Sequence, residues 1–168
     1  SSTGSLYRLD ADLSWTMADS GYGVTNGPAF SPDGRTMYHT DSGAQRIYAF
    51  DLAEDGSVSN RRTFAQFGDG EGYPDGMTVD VEGCLWVAFW DGWCLRRLSP
   101  SGERMAELGV SVQRPTSCTF GGKDLDLMFV TSARRDFSAE QLRAQPEAGG
   151  LFVMYPGVTG IPERLFAG

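Results

Sequence analysis

Short stretches of alternating apolar and polar residues recur along the chain, and glycine or proline interrupts them at close intervals. Alternation with a period of two places every second side chain on one face, so each stretch predicts a half-buried β-strand. Tyr38 to Asp41, Ile47 to Phe50, Leu85 to Phe89 and Met128 to Thr131 also read as strands, as short apolar-rich runs. Ser31-Pro32-Asp33-Gly34 predicts a tight turn, because Pro presets φ at the second position and Gly accepts a positive φ at the end. Val81-Glu82-Gly83 and Asp91-Gly92 do the same later, and the acidic residues of these turns are expected to be solvated. Only Ser138 to Ala144 has helical character, with Ser138 as its N-cap.

A repeat organises the strands. Thr25-Asn26-Gly27-Pro28-Ala29-Phe30 aligns with Pro74-Asp75-Gly76-Met77-Thr78-Val79 and with Pro115-Thr116-Ser117-Cys118-Thr119-Phe120. Each opens a strand, and a turn and a second strand follow. A third strand ends each unit: Arg46 to Asp51, Leu95 to Leu98, and Leu151 to Met154. Gly4 to Asp10 matches only that third strand. Asn26 and Asp75 are 49 residues apart, and Asp75 and Thr116 are 41 apart. Units of this size with three to four antiparallel strands are blades of a β-propeller. The expected fold is all-β: one partial β-propeller domain over residues 1–168, with about three blades and the last strand of a fourth.

Composition narrows the function. The chain has 168 residues, 40% of them apolar and 21% charged, enough to bury a core. Its net charge of −8, with the basic residues scattered, leaves no footprint for nucleic acid and no polybasic membrane patch. The apolar runs are too short for a transmembrane helix. Ser1 to Ser5 carries neither the charge nor the apolar run of a leader, and a cytoplasmic location is expected. Cys84, Cys94 and Cys118 form no CxxC pair, which excludes a zinc finger or a thioredoxin-type site; buried free thiols are expected. The one histidine, His39, falls in a strand segment, where a packed or channel-lining imidazole is expected rather than a base.

The repeat also singles out a site. In a propeller the innermost strand of each blade lines the central channel, so equivalent positions meet around the axis at one level. Asn26 and Asp75 are equivalent, each just before a Gly at the mouth of an inner strand. Two oxygen side chains converging there can bind a hard or borderline cation. The third unit offers Thr116, a weaker ligand. Asn-Gly and Asp-Gly are equally turn dipeptides that need no metal.

At these residues the chain resembles the senescence marker protein (regucalcin)/gluconolactonase family of six-bladed propeller lactonases. The resemblance is carried by Ser59-Asn60-Arg61-Arg62-Thr63, by Pro74-Asp75-Gly76-Met77 continuing to Ala88, and by Pro115-Thr116-Ser117-Cys118 through Asp124. Asn26-Gly27 with Asp41-Ser42 fits too, as does Ser138-Ala139-Glu140 with Gln145-Pro146 and Ala148-Gly149. It covers almost the whole chain and about the C-terminal half of the family's length.

The resemblance implies one divalent cation in the channel (calcium, zinc, manganese or iron(II)) held by a Glu, an Asn and an Asp. The Asn corresponds to Asn26 and the Asp to Asp75; the Glu, the third ligand, has no counterpart in this chain. The family's sugar-binding Arg and Asn also lack counterparts. Thr25, Asp41 and Ser117 are further candidates for the pocket wall, and Trp86, Trp90 and Trp93 are expected to pack between blades. The implied activity is metal-dependent hydrolysis of sugar lactones, with the cation polarising the carbonyl and Asp75 as general base. The chain alone is expected to be inactive, and its expected partners are a small sugar lactone and the missing N-terminal half of the propeller or a second copy. The alternatives are a non-catalytic calcium-binding or regulatory propeller and a protein-interaction propeller.

Overall fold

The computed structural model describes residues 3–163. A two-stranded ribbon comes first, β1 (Gly4–Leu9) paired antiparallel with β2 (Trp15–Tyr22). A four-stranded sheet follows: β3 (Thr25–Phe30), β4 (Thr36–Asp41), β5 (Arg46–Leu52) and β6 (Val58–Gln66), hydrogen-bonded in that order. The next sheet runs β7 (Tyr73–Val79), β8 (Leu85–Trp90), β9 (Cys94–Leu98) and β10 (Arg104–Gly109). The last has three strands, β11 (Pro115–Gly121), β12 (Leu127–Ser132) and β13 (Leu151–Met154), with α1 (Ala139–Ala144) inserted before β13. Within these sheets each strand pairs antiparallel with its sequence neighbour, the meander of propeller blades, and an isolated antiparallel bridge joins Asp80 to Gly160.

The first strand of each full blade is its inner strand. β7 lies with β3 on one side and β11 on the other, so the three repeat segments stand side by side along the channel. Blade-to-blade packing then follows from alternation. Along β8, Leu85, Val87 and Phe89 enter the core shared with β3–β6, alongside Tyr38, Ile47 and Met77. Trp86 and Ala88, the alternate residues, enter the core shared with the last blade, with Cys118, Met128 and Val130. One strand thus supplies two hydrophobic layers, which is why its run is continuously apolar.

The sequence expectations hold for the inner strands and for α1, whose Ser138 side chain accepts from the Gln141 backbone in a capping box. Elsewhere the structure adds strands. The N-terminal ribbon has two strands where the sequence predicted one, because β2 is mostly exposed and leaves little hydrophobic pattern. β6 and β10 are mostly exposed outer strands, and a strand with little to bury carries little alternation. All three cysteines are free and buried. Trp86 packs between blades as expected, whereas Trp93 is 44% exposed. Of the acidic turn residues, Asp33 and Glu82 are exposed as expected, whereas Asp91 is half-buried and pairs with Arg114 at 2.6 Å.

Candidate functional site

Each inner strand breaks its register with the second strand at the same place. The shift lies between Asn26 and Ala29 in β3, between Pro74 and Met77 in β7, and between Pro115 and Ser117 in β11. A bulge inserts unpaired residues, bends the strand and re-aims the side chains beside it. Gly and Pro supply the sequence basis, since neither sustains a regular ladder. Asp75 and Thr116 fall within the break, and Asn26, paired with Thr40, is the last residue before it, so the three stand at the break in three adjacent strands.

Hydrogen bonds tie the first two together across the blade boundary. Asn26 Nδ2 donates to Ser42 Oγ at 2.9 Å, and Ser42 Oγ donates to the Pro74 carbonyl at 2.5 Å, one residue before Asp75. Thr40 Oγ1 donates to the Asp75 carbonyl at 3.4 Å. The Asp75 carboxyl is partly buried, and burial pushes its pKa up to about 6 despite an opposing hydrogen bond from the Gly76 N–H. No basic side chain among the described residues compensates its charge. A carboxylate oxygen and a neutral amide oxygen are both donor types that suit a divalent cation.

The remaining candidates separate. Thr116 sits at the equivalent place, but its hydroxyl is hydrogen-bonded to that of Thr131 at 2.8 Å. Ser117 faces the backbone of Gly76. Asp41 is buried, and its carboxylate accepts from the backbone N–H groups of Gly23, Val24 and Ala44, so it clamps the loop that leads into β3. Thr25 is partly buried. His39 packs edge-to-face on Tyr22, with ring centroids 4.6 Å apart, and burial lowers its pKa. Ser42 and Thr40 were not singled out by the repeat; their partners lie in the next blade, and no local pattern announces such a contact. A cavity of about 620 Å³ is lined by Phe30, Pro32 and Val79 at the far ends of β3 and β7 and includes neither Asn26 nor Asp75.

A cation prefers about six oxygens. Among the described residues no three His, Cys, Asp or Glu side chains gather at one point. Asn26 and Asp75 thus fit a cation as two members of a ligand set that needs further oxygens, from water or other protein groups.

Comparison with known proteins agrees with this architecture. The chain is 39% identical over 166 residues to a 6-deoxy-6-sulfogluconolactonase of Pseudomonas putida, covering 98% of this chain and 57% of that protein. It is 42% identical over 168 residues to regucalcin of Gallus gallus, covering 98% of this chain and 56% of that protein. The chain therefore spans little more than half the length of these relatives. The solved structure of a calcium-binding protein, regucalcin, from Agrobacterium tumefaciens superposes with a TM-score of 0.92 at 28% identity, over 98% of this chain and 56% of that one. Residues 1–134 match the family described as SMP-30/Gluconolactonase/LRE-like region, and the chain belongs to that family.

Proposed function

We propose that the protein hydrolyses sugar lactones of the gluconolactone kind, with one divalent cation held by Asn26 and Asp75. The observation that supports this reading best is the link from Asn26 through Ser42 to the Pro74 carbonyl on the adjacent inner strand, one residue before the partly buried Asp75 carboxyl. The lactonase name of the Pseudomonas relative supports the substrate class.

A divalent cation bound there supplies Lewis-acid polarisation of the lactone carbonyl. Asn26 contributes a neutral oxygen and Asp75 a charged one. Asp75 also accepts a proton from the attacking water, whose oxygen forms the new bond to the carbonyl carbon. The ring C–O bond then breaks, and the ring oxygen leaves as a hydroxyl after receiving a proton, giving the open hydroxy acid. The register breaks beside Asn26 and at Asp75 support the reading, because groups fixed by the backbone before substrate arrives need little reorganisation.

The same reading requires further strands around the channel. Tyr7, Leu9, Trp15 and Met17 form an exposed apolar face on the ribbon, and Leu151, Val153 and Tyr155 form another at β13. Further blades, in a longer polypeptide or from a second copy, would cover both faces and bring the missing donors. Light scattering distinguishes these arrangements; a stable, soluble monomer of 18.3 kDa contradicts both.

Activity is tested by following acid release from gluconolactone before and after chelation. Loss on chelation and recovery with added divalent ion supports the reading. Unchanged hydrolysis in chelator overturns its metal dependence, and cation binding without lactone turnover would favour a regulatory calcium-binding protein.

A further inference from the structure

The hydrogen bonds around Ser42 decide which end of the Asn26 amide is free. A serine hydroxyl has one proton, and the Pro74 carbonyl, as a pure acceptor, takes it at 2.5 Å. The contact at 2.9 Å between Ser42 Oγ and Asn26 must then be donated by Asn26, so the atom facing Ser42 is Nδ2. Oδ1 accordingly lies on the opposite side of the amide.

Ser42 is itself held firmly. It is 8% exposed, its N–H donates to the Val24 carbonyl at 2.9 Å, and Asp41 before it accepts from Gly23, Val24 and Ala44. The hydroxyl therefore reads the position of β7 at Pro74 and transmits it to the side chain of β3.

We infer that Ser42 is a positioning residue that locks the Asn26 amide with its oxygen turned towards the cation site; this rests on Asn26 being a cation ligand. It also explains why the residue at 26 is Asn rather than Asp. A carboxylate has no proton to give Ser42, so Asp at 26 would set lone pairs against lone pairs unless Ser42 released Pro74.

The test uses the intact protein with Ser42→Ala, Ser42→Thr, Asn26→Asp and the Asn26→Asp/Ser42→Ala double variant. The readouts are the Asn26 side-chain amide resonances by NMR and calorimetric affinity for Ca²⁺ and Mn²⁺. Ser42→Ala is expected to shift the Asn26 NH₂ signals, speed their exchange with water and weaken cation binding by about five- to tenfold, the effect of one hydrogen bond. Ser42→Thr keeps the hydroxyl and should retain both properties. In the Asn26→Asp background, Ser42→Ala should cause no weakening, which a purely structural role would not predict. Unchanged amide signals in Ser42→Ala, or equal weakening in both backgrounds, overturns the inference. If the parent protein binds neither ion, the cation reading fails by itself, and the amide signals still decide whether Ser42 locks Asn26.

Discussion

Gly76 lies so close to Ser117 that a methyl group on Gly76 would stand 2.6 Å from Ser117 Cβ. That spacing is far inside van der Waals contact, and it falls between the inner strands of adjacent blades, one residue from Asp75. The glycine is set by space rather than by backbone conformation.

Gly76→Ala is therefore expected to force β7 and β11 apart and to destabilise the fold by about 1–3 kcal/mol, the usual range for overpacking. Denaturant unfolding measures this. Adding Ser117→Gly removes the opposing Cβ and should recover part of the loss. Equal stability of Gly76→Ala and parent would show that the strands are not so closely packed.

Asp75→Asn should stabilise the cation-free protein at neutral pH while impairing its function. Burial disfavours the charged carboxylate and raises its pKa to about 6, so the ionised form is carried at a cost. The sign follows from linkage. A raised carboxyl pKa contributes stability below the unfolded value, near 4, and that contribution is lost as pH rises through about 6. Replacing the group should thus gain on the order of 1–2 kcal/mol at pH 8 relative to the parent, and much less at pH 4. Thermal melts of both proteins in chelator at the two pH values check this; a pH-independent difference contradicts it.

His39 gives the opposite pH dependence. Burial lowers its pKa from the ordinary 6.5, Asp19 and Asp41 oppose this, and Arg61 adds to it. Both ring nitrogens lack a hydrogen-bond partner among the described residues. The unfolded chain takes up a proton first as pH falls, so stability present above 6.5 declines below it, by at most about 1.4 kcal/mol per pH unit. His39→Phe keeps the ring against Tyr22 and should flatten this part of the stability profile between pH 7.5 and 5.5. A parental slope in the variant would assign the effect to other groups.

Much of this site was legible in the sequence for a definite reason. Asn26 and Asp75 stand beside Gly, with Pro close by, at matching places in a repeat, and the same residues that break the ladder mark the bulges that aim them. The inner strands were legible from the repeated segments that open them, and β4, β5, β8 and β12 from their short apolar-rich runs. β2, β6 and β10 were not, since outer strands bury too little to leave that signature. Nor was Ser42, which acts on a carbonyl 32 residues away. His39 was expected to pack or line the channel, and it packs, against Tyr22.

Two donors hold a hard cation weakly. Calorimetry on the 168-residue chain alone should therefore show weak binding of Ca²⁺ or Mn²⁺, and no lactone turnover should accompany it. Tight one-to-one binding would mean that a third protein ligand lies within this chain.

The most direct test of the account is the rate of gluconolactone hydrolysis by Asp75→Asn in the intact protein at saturating divalent cation. Asn keeps an oxygen at the same place, so saturation restores the bound ion and leaves proton acceptance as the property removed. General-base catalysis is worth on the order of 10²–10⁴ in rate, and a fall of that size is predicted. Hydrolysis at close to the parental rate would contradict the account and leave Asp75 at most a ligand.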